Sequence, residues 1–384
     1  MLSGHAAARL TRGGVRAYDP AWRVGIGSTL RLAGSNTSDR TRETPMTLIV
    51  GPNLSLDQTV AVPRLRVGTI HRVPEVLRLA GGKGGNVARA LAILGGEPLL
   101  CGFAGGPVGR LVEANLVRDR VPHRLVATAG ETRICFSVAD DASGEQTEFY
   151  EAGSAVTVNE VAALLAAVEA CLADQRWVVI TGSLPPGAPD DLYATLIERA
   201  HRAGARTLLD AKGRALAAGL EAGPDVLKIN RAELADHVGR ELATPVMVAM
   251  AAAEVVGLPS DPPPVAGFQG ASPRDGRPAR APGAVITLGA AGAVVAGVDG
   301  WWRVMAPPGA ARSPVGSGDS AAAGVVLGLE RGLGLREAAR LGVAAGTANA
   351  RHLGGARFTR GEAEAILAEV PAAPLARTSA RGDG

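Results

Sequence analysis

A doubly wound, mostly parallel α/β sheet flanked by helices, with a small β-sheet lid beside it, is the fold class this sequence predicts. Three observations predict it. From Met46 onward, short apolar strand-like runs alternate with helix-like ones, the order of a parallel sheet with crossover helices. Of the 384 residues, 47% are apolar and 20% charged, so the chain can bury a substantial core. Two stretches, about 60–73 and 132–150, break the rhythm. They are rich in β-formers and alternate with period two, as in Arg133-Ile-Cys-Phe-Ser-Val138, and so predict a separate small sheet.

The elements follow in order. Residues 1–45 mix Arg, Gly, Ser and Thr without apolar periodicity, and Met46 directly precedes the strand Thr47–Val50. The first 45 residues are therefore expected to be a disordered extension or a mis-assigned start. A transit peptide fits less well, since no amphipathic helix is evident. One domain is expected over 46–370. A helix over Ala88–Leu94 opens after glycines. Helix Val161–Leu172, buried strand Trp177–Ile180, helix Asp190–Ala203 and strands Thr207–Asp210 and Val226–Ile229 come next. Helix Ala232–Val238, strand Ala284–Leu288 and the long helix Ser320–Gly328 complete the alternation. Residues 258–282, crowded with Pro, Gly and Arg, predict a flexible surface insertion without chemistry of its own. Residues 371–384 are expected to be a disordered tail, in which Arg-Gly-Asp is a chance match.

Charge and cysteine usage exclude several classes. Residues 1–45 carry seven Arg against three acids, a net +4. The whole chain is +3, so the remainder is −1. Basicity confined to a tail, with 3% aromatics, gives no basic stacking surface for nucleic acid. No run of eighteen apolar residues appears, so no membrane span is predicted. Cys101, Cys135 and Cys171 are odd in number and lack CxxC spacing. They read as buried thiols in a reducing, cytoplasmic compartment rather than as disulfides or zinc ligands.

The strongest chemical signal is Ser313-Pro-Val-Gly-Ser-Gly-Asp-Ser320, running straight into a small-residue helix. Gly316 and Gly318 permit a tight turn whose N–H groups converge at a helix N-terminus, an arrangement that binds phosphoryl oxygens. Asp319 beside it can take a proton from an attacking hydroxyl, or can simply cap the helix. The motif alone leaves both readings open. A second cluster, Ala80-Gly-Gly-Lys-Gly-Gly-Asn-Val-Ala-Arg89, is not a Walker loop, because no Ser or Thr follows the Lys. Its glycines let a ligand lie against backbone, and Asn86 can cap a helix or hold a polar ligand. Lys228-Ile-Asn-Arg-Ala-Glu233 sets Asn230 and Glu233 three apart at a helix start. That is the pattern of a capping box, and also of a pair that orders water around magnesium. Thr181-Gly-Ser-Leu-Pro-Pro-Gly187 and Thr287-Leu-Gly-Ala-Ala-Gly292 are turns after strands.

Taken together, from about Thr47 to Val370, these motifs resemble the ribokinase-like (PfkB) carbohydrate kinase family, in its phosphosugar branch of 1-phosphofructokinases, tagatose-6-phosphate kinases and 6-phosphofructokinases. Asn53-Leu-Ser-Leu-Asp57, the Gly81–Arg89 cluster, Thr132-Arg133, Gly182–Gly187, Lys228–Glu233, Thr287–Gly292 and Gly316–Asp319 stand in family order.

The resemblance implies an ATP-dependent phosphotransferase with an alcohol acceptor, acting on fructose 6-phosphate or fructose 1-phosphate. It implies magnesium (Mg2+) as cofactor, and a homodimer formed through the lid. Alternatives are a kinase for tagatose 6-phosphate, for an unphosphorylated sugar or for a nucleoside. An alternative of another class is a catalytically silent sensor of sugar phosphate or nucleotide. By resemblance Asp319 is the catalytic base, with the backbone of Gly316, Ser317 and Gly318 as its anion hole. Asp57, Gly81, Gly82 and Asn86 match positions that hold sugar hydroxyls. Arg133, Arg72, Lys83 and Ser183 fall near positions that grip the substrate phosphate. Lys228, Asn230, Thr287, Gly289 and Gly292 match the nucleotide side, with Glu233 and Asn230 reaching the metal through water. An arginine fork suits phosphate geometry, which gives the Arg133 assignment physical sense. Pro314, Ser317, Lys212, Ile229 and Thr69 depart from the family pattern, and bear on which sugar phosphate is used.

Overall fold

The computed structural model describes residues 46–259, 283–309 and 311–376. The expectations for residues 1–45, 260–282 and 377–384 lie outside the described residues. In chain order the elements are β1 (Met46–Val50), β2 (Ser55–Val62), β3 (Leu77–Gly81), α1 (Gly82–Ile93), β4 (Pro98–Gly105), α2 (Gly106–Arg118), β5 (His123–Thr128), β6 (Arg133–Asp140) and β7 (Gln146–Tyr150). Then come α3 (Val158–Glu169), β8 (Gln175–Thr181), α4 (Leu192–Arg202), β9 (Arg206–Asp210), α5 (Gly213–Glu221), β10 (Val226–Asn230), α6 (Arg231–Val238) and α7 (Pro245–Val255). The chain closes with β11 (Gly283–Thr287), β12 (Ala293–Gly297), β13 (Gly300–Val304), α8 (Ser317–Glu330), α9 (Leu335–Ala350), α10 (Arg360–Ala368) and β14 (Ala372–Pro374).

The main sheet runs β14-β13-β12-β11-β10-β9-β8-β1-β4-β5. From β11 to β5 every neighbouring pair is parallel, and β12, β13 and β14 add an antiparallel edge. Alternate residues of each central strand enter opposite cores, as the period of two requires. Ile49, Trp177 and Val179 pack with α1, α8, α9 and α10, whereas Leu48, Val50, Val178 and Ile180 pack with α3, α4, α5 and α7. Each such side chain contributes about 1.5–3 kcal/mol by leaving water. Strand order reverses between β1 and β8, so the loops at the carboxyl ends of β1, β8, β9 and β10 splay around one crevice, the usual ligand position in an open α/β sheet.

The small sheet is ordered β3-β2-β6-β7. Its pleat separates two faces. Asp57, Cys135 and Tyr150 stand in register on one, while Val60 and Val138 stand on the other and form a small core with Val62. The stretch 60–73 contributes strand only over its first three residues. The chain runs through turns over 63–76 and re-enters the sheet at β3, because the second strand of that hairpin is Leu77–Gly81.

Other differences are local. Helix α3 begins at Val158, not Val161, because Thr157 and Glu160 form a capping box. Helix α1 begins inside the glycine cluster, at Gly82. Helix α8 begins at Ser317 and runs to Glu330. The segment after Pro371, expected to be a disordered tail, instead contributes β14, paired antiparallel to β13 through Trp302–Pro374 to Val304–Ala372. Helices α8 and α9 approach so closely that a Cβ on Gly324 would lie 2.7 Å from Gly342 Cα. Cys101 and Cys135 are buried and Cys171 is partly exposed, all three as free thiols. No helix among the described residues is long and apolar enough to cross a membrane.

Candidate active site

The crevice at the strand ends, roofed by the inner face of the small sheet, is a cavity of about 930 Å3. At one end stands the start of α8. Gly316 is its N-cap with φ 75°, and a Cβ there would lie 2.5 Å from Gly355 Cα, so both the left-handed backbone and the close approach require glycine. The Ser317 N–H closes a turn onto the Pro314 carbonyl at 3.1 Å. Of the amides assigned to the anion pocket, Ser317's is therefore engaged, whereas those of Gly316 and Gly318 have no acceptor among the described residues, nor has that of Asp319, which was not assigned to it.

Asp319 follows in the first turn of α8, buried and lining the cavity. Burial pushes its carboxyl up to about 6. The charge of Asp210 adds to the shift, and Lys83, Lys228 and a hydrogen bond from Asn86 oppose it. The Asn86 Nδ2 donates to Asp319 at 2.9 Å. Buried Arg89 fixes which way that amide points. It donates to the Asn86 Oδ1 at 3.3 Å and is anchored by the carbonyls of Gly355 (2.8 Å) and Ala80 and by Asp119 (2.9 Å). In the sequence Arg89 is merely the end of a glycine motif. Its work shows only in the fold.

Beside Asp319 lies a buried cluster that the sequence reading missed. Asp210, at the end of β9, takes Lys83 at 2.6 Å on one carboxylate oxygen and Lys228 at 2.8 Å on the other. Burial alone would raise the Asp210 carboxyl, but the two ammonium groups overrule it and hold it below its ordinary value. Burial likewise draws Lys83 down, yet Asp210, Glu233 and Asp319 together raise it above its ordinary value. Two cations share that carboxylate, and Glu233, 3.6 Å from Lys83, balances the second charge. Lys228 also reaches toward α8, its Nζ 3.2 Å from where a Cβ on Gly318 would stand. Lys83 thus sits beside Asp210, with Glu233 at 3.6 Å, at the α8 end of the cavity rather than at the Arg133 end where resemblance assigned it.

At the other end, Asp57 accepts from Ser55 Oγ at 2.6 Å, and burial raises its carboxyl against Ser55, Arg89 and Arg133. Gly81 does not line the cavity, but any side chain there would fall on the Asp57 carboxylate. Gly82, with φ 72°, passes against the Asn53 carbonyl. Arg133 donates to the carbonyls of Asn53 and Glu151, each at 3.2 Å. The Asn53 Nδ2 donates to Ser183 Oγ at 3.1 Å, so Asn53 joins Arg133 and Ser183 in one row along the wall. Arg72 is not brought to this wall. It is exposed in the 63–76 segment, which folds over the outer face of the small sheet.

The residues that resemblance assigns to the nucleotide stand together around the ends of β10 and β11. Asn230 and Glu233 make the capping box of α6, with Glu233 N–H to Asn230 Oδ1 at 2.8 Å and Asn230 N–H to Glu233 Oε2 at 2.9 Å. Thr287 ends β11 with its hydroxyl on the Ile229 carbonyl at 3.5 Å. Gly289 and Gly292, with φ 62° and 89°, turn the chain into β12. Asn230, Thr287, Gly289 and Gly292 lie outside the cavity wall. Among the described residues no three His, Cys, Asp or Glu cluster to hold a metal directly. What remains is one carboxylate oxygen, Glu233 Oε1, not used by the cap. A hard oxygen donor of this kind fits magnesium that keeps its waters and is held chiefly by phosphates.

A doubly wound fold with a helix-start amide pocket, a buried carboxyl and two lysines joined by Asp210 fits the class of phosphoryl-transfer enzymes. Residues 53–257 and 277–360 match the family model described as pfkB family carbohydrate kinase, and the chain belongs to that family. It is a sugar kinase, a phosphotransferase with an alcohol acceptor. The chain is similar to phosphofructokinase-2 from Escherichia coli, in a crystal structure with potassium, at 31% identity over 85% of this chain and 99% of that one, with a TM-score of 0.72. The same enzyme with substrates and products matches at 32% identity, 84% and 98% coverage and a TM-score of 0.72. A possible 1-phosphofructokinase from Thermotoga maritima shares the fold, at 23% identity, 86% and 99% coverage and a TM-score of 0.75.

Proposed function

We propose that this kinase transfers the γ-phosphoryl group of ATP to a primary hydroxyl of a ketohexose monophosphate, and that the acceptor is fructose 6-phosphate. The observation that carries the reading is one continuous cavity. It joins Gly316 and Asp319 at the start of α8 to the wall of Asp57, Ser183 and Arg133, so an acceptor alcohol and a distal phosphate have separate seats. The 31–32% identity to phosphofructokinase-2, including a structure of that enzyme with fructose-6-phosphate, supports the 6-phosphate over the 1-phosphate.

In this mechanism the Arg133 fork and the Ser183 hydroxyl bind the phosphate already on the sugar, and Asp57 holds a ring hydroxyl. Asp319 accepts the proton of the attacking hydroxyl, at an oxygen kept in place by Asn86, itself oriented by Arg89. The amides of Gly318 and Asp319, with Lys83 and Lys228 around Asp210, receive the charge that spreads over the moving phosphoryl oxygens. Thr287, Gly289 and Gly292 carry the nucleotide, and Glu233 and Asn230 would hold magnesium through water. When bound, that ion neutralises the polyphosphate. The chain acts as a homodimer formed through the small sheet, a reading supported by the apolar side chains that unit exposes, Val67, Ile70 and Phe149. A coupled assay across fructose 6-phosphate, fructose 1-phosphate, tagatose 6-phosphate, fructose and nucleosides tests the acceptor. The highest kcat/KM is expected for fructose 6-phosphate, and an unphosphorylated acceptor ranking first would sink the proposal.

A further inference from the structure

The cavity that must take two anionic reactants is lined by more negative than positive groups. Asp57, Glu148, Glu151, Asp190 and Asp319 face it as carboxylates. Against them stand three cations, Lys83, Arg133 and Lys212. Lys83 is tied to Asp210 at 2.6 Å, and Arg133 is spread over two backbone carbonyls. Lys212 is different. Its side chain is exposed, and its ammonium has neither a salt bridge nor a hydrogen bond among the described residues.

Local structure gives no reason for a lysine there. Lys212 is the N-cap of α5, with φ −142° and ψ 165°, and makes no side-chain cap. Ser, Thr, Asp or Asn would satisfy an orphan amide at that position, and a cation is opposed by the helix dipole. The residue also sits two positions beyond Asp210, on the loop that brings Asp210 to Lys83 and Lys228. It stands on a rim shared with Ser183, Leu184 and Asp190 between the main cavity and a neighbouring one of about 510 Å3.

We infer that Lys212 is a binding residue for a phosphate group of the reactants, its unpartnered ammonium adding an ionic contact to those that Lys83 and Arg133 make. The inference rests on the kinase reading. The phosphate belongs either to the phosphosugar or to ATP, and separate Michaelis constants distinguish the two sources.

The test is Lys212→Ser beside Lys212→Arg. In the serine variant the KM of one phosphorylated reactant rises about three- to ten-fold, the size of one partly exposed charge contact, while kcat moves less than about two-fold. The arginine variant keeps a near-normal KM. The serine hydroxyl can cap α5, so its thermal midpoint stays level or rises and folding does not confound the result. Both Michaelis constants unchanged in Lys212→Ser would overturn the inference, as would an equal rise in Lys212→Arg, which would point to shape rather than charge. Calorimetric binding of ADP and of fructose 6-phosphate separates this from the parent reading. Wild-type protein that binds either ligand without turnover ends the kinase reading alone. In that case weaker binding by Lys212→Ser sustains the role of Lys212, and unchanged binding ends it.

Discussion

A buried carboxyl changes charge close to neutrality when one amide and two nearby ammonium groups only partly offset its loss of water, and Asp319 is in that condition. With the group raised to about 6, the base form that accepts a proton is present above that pH and lost below it. The expected profile of kcat/KM therefore climbs about tenfold per pH unit on its acid limb and levels off above about 6. Asp319→Asn should lower kcat by about 10²- to 10⁴-fold and leave ATP affinity nearly unchanged. Stability moves the other way. The folded-state value exceeds the ordinary 3.8, so between about 4 and 6 the native protein binds more protons than the unfolded chain, and its stability falls as pH rises through that window. Asparagine removes that liability, so the variant's thermal midpoint should exceed wild type near about pH 7 and lose the advantage near about pH 4. Near-normal turnover in the variant would take Asp319 out of the role. At the other end of the cavity, Arg133→Ala should raise the KM for the phosphosugar by about 10- to 100-fold and that for ATP by less than about two-fold. Equal rises in the two constants would contradict the clamp assignment.

At the scale of elements, one box of hydrogen bonds carries two roles that mutation can part. Asn230 caps α6 through the Glu233 N–H, and is also proposed to border the nucleotide. Asn230→Ala should cost about 0.5–2 kcal/mol of stability, and Asn230→Ser should recover most of it. Both should raise the KM for ATP. A serine variant with wild-type KM would reduce Asn230 to a cap. The same contrast explains what could be read from sequence. Gly316 to Asp319 are covalent neighbours, and the left-handed N-cap and first-turn carboxylate follow from their order, so that end of the site was legible. Asp210 was not, because its meaning lies in Lys83, 127 residues away, and Lys228, 18 away. The role of Asn53 is likewise invisible within its own motif, since Ser183, 130 residues on, supplies it. Central strands such as Trp177–Ile180 were legible from continuous apolar runs. Ala372–Pro374 was not, since Ala-Ala-Pro has little strand preference and becomes a strand only by pairing with β13 at an edge, where proline is tolerated. Leu335–Ala350 hid for a related reason. Its alanines and Gly342 mark close packing on α8, a property of two helices rather than of one window.

For the whole molecule, the proposed homodimer would make the small sheet a link between assembly and catalysis. Its inner face supplies Asp57, Arg133, Cys135 and Tyr150 to the cavity, whereas Phe149, 60% exposed, stands in register with Phe136 on the opposite face, ring centroids 6.5 Å apart. Val67 and Ile70, in the 63–76 segment of the same unit, are 100% and 83% exposed. Apolar surface of that kind gains by association, and a buried charge there opposes it. On the proposed homodimer, Phe149→Glu should shift the protein from dimer to monomer in sedimentation velocity at concentrations where wild type sediments as a dimer. The main sheet shares none of those residues, so far-ultraviolet circular dichroism should remain native. Because Phe149 and Tyr150 are adjacent on β7, a loosened sheet should also raise the KM for the phosphosugar more than that for ATP. A variant that stays dimeric would move the interface elsewhere on the molecule. A monomer with both Michaelis constants intact would leave the association in place and cut its tie to the site.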